Sequence, residues 1–287
     1  MVRDYYAELE MLQNTVDFTV SYFKALAGKS KKEANERRAA WVRQRPKVCL
    51  SKSDVDLCLM IATPNPDLGD LPVGSWFLQF TFALYKPYIS KDDDPFYIID
   101  NPIVRDKVFQ LPLVRPSNWK GSLCDALWQL GYERQGNSQM QRLFGVGPDD
   151  GTGRAGRLFF YPTFFTETGL EVVNPHDRVR RIGKNPILFE CVPCDSKGTF
   201  SLLYVPFDLI EESEDKIKKQ ASEDLILVSE GLVAMFLTYG FSAKRSSGYG
   251  IAKDEILAGK FKTKLHTVDL CGVSLSRLTE KVKNVSF

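Results

Sequence analysis

The stretch that decides the fold reads Trp76-Phe-Leu-Gln-Phe-Thr-Phe-Ala-Leu-Tyr85. Large apolar side chains occupy every second position from Trp76 to Leu84, and a period of two is typical of a β-strand whose alternate residues face one side. The stretch therefore predicts a strand of a sheet with one face in a core.

Beyond this strand the chain alternates between helical and strand-like patterns. Helices are predicted over 117–131, with Ser117 as the N-cap, and over 222–239. Further strands are predicted over 157–161, 199–205 and 249–256. The resulting order is strand, helix, strand, strand, helix, strand, which predicts an α+β protein with a ferredoxin-like sheet of the RNA-recognition-motif type.

Residues 86–116 form a long, proline-punctuated connection between the first strand and the first of these helices. Its polar positions include Asp92, Asp93 and Asp94, and further acids follow at Asp100 and Asp106. Because proline is mixed here with Tyr, Phe, Ile and Val, we expect an ordered loop. Loops of this length usually carry function.

The predicted organisation has three parts: a helical N-terminal extension at 1–46, the α+β domain at 47–258 and a C-terminal tail at 259–287. Apolar residues recur at helical spacing from Tyr5 to Phe23, and Gly28 is predicted to end that helix. The segment after it is locally basic, which indicates either a solvated helix face or a contact with RNA.

Composition places the chain among ordinary soluble globular proteins, with 44% hydrophobic and 26% charged residues. The 38 basic and 36 acidic residues nearly cancel, so any binding surface must come from local clusters. No apolar run approaches the roughly 20 residues of a membrane helix, and acids occupy the N-terminus where a signal peptide would be basic. We expect a cytoplasmic protein whose six cysteines are reduced.

Two basic segments are candidates for binding phosphate groups. A hairpin is predicted at 167–193, with β-prone arms around a basic centre of Arg178, Arg180, Arg181 and Lys184. The second segment reads Gly240-Phe-Ser-Ala-Lys-Arg-Ser-Ser-Gly-Tyr-Gly250, in which glycines permit close backbone approach to a phosphate. The alternatives are a hairpin docked on a neighbouring subunit and a flexible linker.

The residue types available for catalysis favour carboxylates. The chain has only two histidines, which leaves little material for histidine acid–base chemistry. Cys191-Val-Pro-Cys194 has zinc-like spacing, but no second pair at similar spacing completes the set, so zinc is a minor alternative to packed thiols.

The block Asp100-Asn-Pro-Ile-Val-Arg-Asp106, followed by Ser117-Asn-Trp-Lys-Gly121, resembles the first conserved block of the RAMP (repeat-associated mysterious protein) superfamily. It is similar in particular to the backbone subunit of type III CRISPR effector complexes, which coats guide RNA and cuts the paired target RNA. Three later stretches follow in the family's order: Arg142-Leu-Phe-Gly145, Gly156-Arg-Leu-Phe-Phe160 and the glycine-rich segment. The chain departs from the family in its N-terminal extension and in Arg115-Pro-Ser-Asn, where the family has Pro-Gly-Ser-Ser.

The resemblance implies a function and a set of site residues. Asp100 stands where target-cutting members carry their essential aspartate, which would hold Mg²⁺ or Mn²⁺ or orient the attacking 2′-hydroxyl. Asp92, Asp93, Asp94 and Asp106 are additional acidic candidates, and a turn made with Asn101-Pro102 is the alternative role for Asp100. The implied RNA-binding residues are Ser117, Lys120, Arg142, Arg178, Arg180, Arg181, Lys184, Lys244, Arg245, Ser246, Ser247 and Tyr249.

The implied partners are guide RNA, complementary target RNA and other CRISPR effector subunits, including copies or paralogues of the chain itself. In the family, the 167–193 position holds a thumb hairpin that pushes between base pairs of the guide–target duplex. The leading interpretation is a metal-dependent endoribonuclease subunit. A structural subunit that cuts nothing is the first alternative, and a repeat-RNA processing endonuclease, whose members lean on histidine, is the second.

Overall fold

The computed structural model describes residues 9–44, 63–93, 96–107, 110–147, 153–174 and 186–285. The chain divides into two compact units. The first contains the described parts of Met1–Cys49, Ser90–Ile103 and Thr168–Cys191. The second contains those of Leu50–Ile89, Val104–Glu167 and Val192–Phe287. None of the helices in the described part of the chain has the length and apolar character needed to span a bilayer.

The described residues form six α-helices and ten β-strands. The helices are α1 (Leu9–Ala27), α2 (Lys31–Gln44), α3 (Pro116–Gln129), α4 (Ser138–Phe144), α5 (Glu214–Ala234) and α6 (Leu278–Val282). The strands are β1 (Trp76–Ala83), β2 (Tyr88–Ile89), β3 (Leu113–Val114), β4 (Leu158–Phe160), β5 (Thr163–Phe164), β6 (Gly169–Val173), β7 (Ile187–Val192), β8 (Lys197–Tyr204), β9 (Ala258–Thr263) and β10 (Thr267–Asp269).

A five-stranded antiparallel sheet organises the second unit, with the spatial order β10-β9-β1-β8-β4. The central strand β1 has the predicted alternation: Trp76, Leu78, Phe80 and Phe82 are fully buried on one face. Phe82 packs against helix side chains, with its ring centroid 6.3 Å from Trp119 of α3 and 4.9 Å from Phe236. Burial of such aromatic and aliphatic side chains contributes roughly 1.5–3 kcal/mol each, so this face makes a large contribution to the stability of the unit.

The predicted α+β class is confirmed, and the elements β1, α3, β4, β8, α5 and β9 follow the predicted order along the chain. The predicted position of the last strand was wrong, because 249–256 forms no β-strand and meets the sheet at an isolated bridge from Ala252 to Leu84. The strand beside β1 is instead Ala258–Thr263, so the segment predicted as a tail supplies β9, β10 and α6. Half-buried Lys260 and Lys262 hid the strand pattern, whose inward residues include Phe261 and Thr263.

Helix boundaries also differ from the prediction at two places. Ser117 is not the N-cap of α3, since Arg115 takes that position and Pro116 begins the helix with its fixed φ. Helix α5 begins at Glu214, eight residues before the predicted start at Ser222, and a π-helical turn at Met235–Tyr239 follows its end. Its first two turns are mostly charged, so the apolar spacing alone did not indicate them.

The first unit combines α1 and α2 with an antiparallel β6–β7 hairpin. The predicted end of α1 is confirmed, since Gly28 directly follows Ala27 and donates its amide to the Lys24 carbonyl at 3.0 Å. A hydrophobic cluster joins the helices to the 96–100 segment and contains Tyr22, Ala25, Ala34, Trp41, Ile98 and Ile99. The unit thus brings together three segments that lie far apart in sequence.

Candidate functional site

Asp100 lies on the exposed side of the first unit and is held by an arginine of α2. Its two carboxylate oxygens accept hydrogen bonds from the Arg38 guanidinium, at 3.0 Å from Nη2 and 3.4 Å from Nη1. The Arg38 Nε atom donates to the Ile98 carbonyl at 3.0 Å. One guanidinium therefore grips both the backbone and the side chain of the segment that carries Asp100.

Arg38 is itself fixed by Tyr22 of α1. The guanidinium carbon lies 4.7 Å from the centre of the Tyr22 ring, and Nη2 also donates to the Tyr22 hydroxyl. The side chain of Arg38 is 20% exposed, whereas that of Asp100 is 70% exposed. Arg38 is thus an anchored group, and the Asp100 carboxylate is presented to solvent where a ligand can reach it.

A buried glutamate fastens the other side of the same loop. Glu190 of β7 is fully buried and accepts hydrogen bonds from the Tyr97 hydroxyl at 2.8 Å and the Ile103 amide at 3.1 Å. Its own amide donates to the Asn101 carbonyl at 3.0 Å. The Asp100 loop is therefore fixed to the β6–β7 hairpin as well as to α2.

The other acidic candidates do not join Asp100 in a described cluster. Asp93 is exposed, and its amide donates to the Asp92 carboxylate at 3.1 Å. Asp106 belongs to the second unit, and Asp94 lies outside the described residues. Among the residues that the structure describes, no group of three or more His, Cys, Asp and Glu side chains is placed to hold a metal ion.

The described residues therefore do not fit a divalent ion at Asp100, because Arg38 engages both carboxylate oxygens and no second carboxylate completes a site. Because no group of three or more metal-binding side chains occurs among the described residues, nothing there supports a zinc site at Cys191 and Cys194. Cys191 is buried and Cys194 is exposed. Cys49, Cys58 and His176 lie outside the described residues.

Two segments that carry predicted RNA-binding residues, α3 and the glycine-rich segment, come together in the second unit. The Arg245 guanidinium of the glycine-rich segment pairs with Asp125 of α3 at 2.6 Å. Asn118 donates its side-chain amide to the Ser242 hydroxyl at 3.0 Å, and Ser242 in turn donates its backbone amide to Ser122 at 3.5 Å. The glycine-rich segment therefore lies along α3, close to the turn that carries Lys120.

The glycine-rich segment is an ordered turn. Gly240 and Gly250 have φ of 71° and 72°, and a side chain at Gly250 would stand 2.2 Å from the Phe241 carbonyl oxygen. Positive φ and this close backbone approach leave room only for glycine. The turn leaves Lys244, Ser246 and Ser247 exposed and Tyr249 half-buried, while Ser117 and Lys120 are exposed on α3.

Arg142, another predicted RNA-binding residue, has a different environment. Its guanidinium pairs with fully buried Asp224 at 2.7 Å and with Glu223 at 3.5 Å. Arg157 pairs with the same Asp224 at 3.1 Å and with Asp208 at 2.7 Å. Because its side chain is 13% exposed and engaged in this network, we assign Arg142 a structural role.

The charges of this network shift the ionisation of its members. Burial raises the pKa of Asp208, but the hydrogen bonds and charge of Arg157 outweigh that effect and hold the pKa below its ordinary value. Burial and the neighbouring Asp224 carboxylate raise the pKa of Tyr204, which donates its hydroxyl to Asp224 at 2.8 Å.

The hairpin predicted at 167–193 is present in its two arms, β6 and β7, which pair from Gly169 with Cys191 to Val173 with Ile187. Its basic centre, comprising Arg178, Arg180, Arg181 and Lys184, lies outside the described residues. The role of that centre in binding RNA stays a prediction.

Sequence reasoning missed Arg38, Tyr22 and Glu190. Arg38 was one basic residue among many in a segment interpreted as a solvated face or an RNA contact. Glu190 did leave a signal, because a single carboxylate inside the apolar strand Ile187-Leu-Phe-Glu-Cys-Val192 must be buried with polar partners.

The structure is an α+β protein with two groups of candidate residues. Asp100 is exposed on a loop that Arg38 and Glu190 hold in place. The basic glycine-rich turn packs on α3. Residues 69–253 match the model of the RAMP superfamily, which is more than half of the chain. The chain belongs to the RAMP superfamily.

The comparisons also give a relative and a structural neighbour. The chain is 26% identical over 170 residues to the CRISPR system Cms endoribonuclease Csm3 of Streptococcus thermophilus, a match that covers 53% of this chain and 73% of that protein. It is similar to a chain in the cryo-EM structure of the Type III-B Cmr-beta bound to cognate target RNA, with 12% identity and a TM-score of 0.49. That match covers 85% of this chain and 77% of the other.

Proposed function

We propose that this chain is an RNA-binding subunit of a type III CRISPR ribonucleoprotein, which coats guide RNA and cleaves complementary target RNA with Asp100 as its catalytic carboxylate. Membership of the RAMP superfamily and the similarity to an endoribonuclease of a CRISPR system support the proposal. The observation that carries it is the exposed Asp100 carboxylate on a loop fastened by Arg38 and Glu190.

The chemistry that suits one carboxylate is attack by the RNA's own 2′-hydroxyl. The 2′-oxygen loses its proton to solvent and bonds to the adjacent phosphorus as the bond to the 5′-oxygen breaks. The departing 5′-oxygen takes a proton from solvent, which leaves a 2′,3′-cyclic phosphate and a 5′-hydroxyl end. Asp100 accepts the hydrogen bond of the attacking hydroxyl and holds it in line, because an intramolecular attack depends more on geometry than on an activated side chain. Arg38 keeps the carboxylate in place and adds positive charge beside the phosphate.

A requirement for Mg²⁺ or Mn²⁺ stays a prediction. No step in this scheme passes through a metal ion, because the described residues do not assemble its ligands.

RNA would lie along the basic surface formed by the first turns of α3 and the glycine-rich turn. Exposed Lys120 and Lys244 supply positive charge there, and exposed Ser246 and Ser247 supply hydrogen-bond donors for phosphate oxygens. The partners proposed are guide RNA, complementary target RNA and other effector subunits, including copies or paralogues of this chain.

A structural subunit that binds guide RNA and cuts nothing is the second candidate. The observation that favours it is the Arg38 ion pair, since both oxygens of Asp100 already have a partner within the chain. In that case the pair would only stabilise the loop.

The experiment uses the chain purified with the RNA and proteins that accompany it. A labelled RNA complementary to the recovered guide is added to the wild type and to Asp100→Ala, and binding and cleavage are measured separately. We expect both to bind and only the wild type to cut. Binding without cleavage by either would leave the structural subunit, and absence of RNA binding by the wild type would refute the proposal as a whole.

A further inference from the structure

A pocket of about 490 Å³ opens on α3 and the segment that follows it. Its lining includes Lys120, Trp128, Tyr132 and Arg134, all of which belong to the second unit. The volume is within the range of small-molecule sites, which is roughly 300–1,000 Å³. The pocket can therefore take a ligand of moderate size.

An aromatic side chain forms one wall. Trp128 is 57% exposed, whereas the other three tryptophans, Trp41, Trp76 and Trp119, are at most 3% exposed. Tyr132 is half-buried and follows Gly131, whose φ of 96° ends the helix. The Tyr132 amide donates to the Leu127 carbonyl at 3.0 Å. The pocket thus presents a flat aromatic surface that is open to solvent.

The charge beside this wall is positive. Lys120 and Arg134 are both exposed, and Arg134 is held by a hydrogen bond from Nη2 to the Gly145 carbonyl at 2.8 Å. The one carboxylate in the lining, that of Asp125, is already paired with Arg245. Burial raises the pKa of the Cys124 thiol in the same lining, and the charges of Arg134 and Lys120 oppose the rise, as expected of cations beside it.

An open aromatic face flanked by cations suits an unpaired nucleotide. Single-stranded nucleic acids bind by stacking bases on aromatic side chains while basic residues contact the phosphates, and the stacking tolerates any base. An apolar peptide side chain is a poorer fit, because it would leave the two cations beside the aromatic wall uncompensated.

We propose that this pocket holds one unpaired nucleobase of bound RNA, stacked on Trp128, with Lys120 and Arg134 at the neighbouring phosphates. The inference deepens the proposed function and rests on it, since it names where one base of the bound RNA lies. It makes Trp128 a binding residue that the family resemblance did not indicate.

The first test is an abasic scan. RNAs of the guide sequence, each lacking the base at one position, are bound to the purified chain and its accompanying proteins after the native RNA has been removed. In the wild type we expect roughly 5- to 150-fold weaker binding when the stacked base is missing, the range found for one base on one aromatic residue. Trp128→Ala should weaken binding of intact RNA by the same factor and become insensitive to the missing base.

Phe207→Ala is the matched control, since Phe207 is 55% exposed in the same unit and does not line the pocket. It should leave both intact binding and the abasic profile unchanged. Because Trp128 is largely exposed, its replacement should leave the melting temperature near that of the wild type.

The fluorescence of Trp128 gives a second readout. As the exposed tryptophan among four, it should supply the emission that acrylamide quenches most readily in the free protein. Bound RNA should quench this emission and shield it from acrylamide, and Trp128→Phe should remove the signal while keeping most of the affinity.

The outcomes separate this inference from the proposed function. A wild type that binds RNA with a flat abasic profile and unquenched Trp128 overturns the pocket assignment and leaves RNA binding intact. A Trp128→Ala variant that loses only its accompanying proteins shows that the pocket holds a protein partner, which also overturns the assignment. A wild type that binds no RNA refutes both.

Discussion

Replacing Arg38 by alanine tests how the Asp100 loop is held. The change removes a charged hydrogen bond to the Ile98 carbonyl, the contact with the Tyr22 ring and the ion pair with Asp100. A hydrogen bond from a charged group contributes about 1.5–3 kcal/mol, and a partly buried cation on an aromatic ring about 1 kcal/mol. The ion pair adds less than about 1 kcal/mol, because Asp100 is largely exposed.

The sum predicts a loss of about 3 kcal/mol for Arg38→Ala, against less than about 1 kcal/mol for Asp100→Ala. Amide hydrogen exchange of residues 97–103 measures the free energy of local opening of the Asp100 loop. A loss of 3 kcal/mol corresponds to roughly 150-fold faster exchange through loop opening. RNA cleavage should fall by about 10²-fold, since a displacement of the reacting group by about 1 Å costs that much. RNA affinity should not change.

Arg37→Ala is the matched control. Arg37 neighbours Arg38 in α2 but is half exposed, and within the described part of the chain it makes an ion pair with Glu33 at 3.5 Å. It should alter neither exchange nor cleavage. Unchanged exchange in Arg38→Ala would refute the role of Arg38 in holding the Asp100 loop. Faster exchange with wild-type cleavage would show that holding the loop has no part in the reaction.

Three further predictions concern other parts of the chain. Glu190→Ala leaves the Tyr97 hydroxyl and the Ile103 amide without their acceptor, so the free energy of unfolding should fall by about 3 kcal/mol. The loss should be smaller in Glu190→Gln. Denaturant unfolding curves that coincide with that of the wild type would contradict this. The pKa of Asp208 is lower in the folded protein than in the unfolded chain. Its ion pair therefore stabilises the folded state fully above the unfolded pKa. This stabilisation is lost as pH falls through the folded pKa. The difference in melting temperature between the wild type and Asp208→Asn should therefore be constant from pH 7 to about 5 and shrink below about pH 4, and a difference that persists to pH 2 would refute it. Gly250→Ala should disrupt the glycine-rich turn and weaken RNA binding far more than Gly248→Ala, because both have positive φ but only Gly250 meets a backbone atom; equal effects of the two would show that close approach does not matter.

The central part of the fold was predicted well because β1 has a large apolar side chain at every second position, and Trp76, Leu78, Phe80 and Phe82 are all fully buried. The strand next to it in the sheet, β9, was missed because its outward residues are Lys260 and Lys262, which resemble a solvated tail. A strand with two buried inward residues carries too short a pattern to be recognised without its pairing partner.

The candidate site was predicted in part. Asp100 could be singled out because a recognisable block surrounds it, and the α3 and glycine-rich segments both carry residues that were expected to bind RNA. Their convergence through the Arg245–Asp125 pair joins residues 120 positions apart, and the Arg38–Asp100 pair spans 62 positions. Such contacts depend on tertiary packing, so no local pattern in α2 distinguishes Arg38 from the basic residues around it.

The most direct test of the central claim is a single-turnover cleavage assay with Asp100→Asn. The amide keeps the shape of the side chain and removes the charge that orients the 2′-hydroxyl. Asp93→Asn, a change on an exposed residue of the same loop, is the control. The account predicts that Asp100→Asn binds target RNA as the wild type does and cuts it roughly 10²- to 10⁴-fold more slowly, while Asp93→Asn cuts normally. Cleavage by Asp100→Asn at the wild-type rate would contradict it.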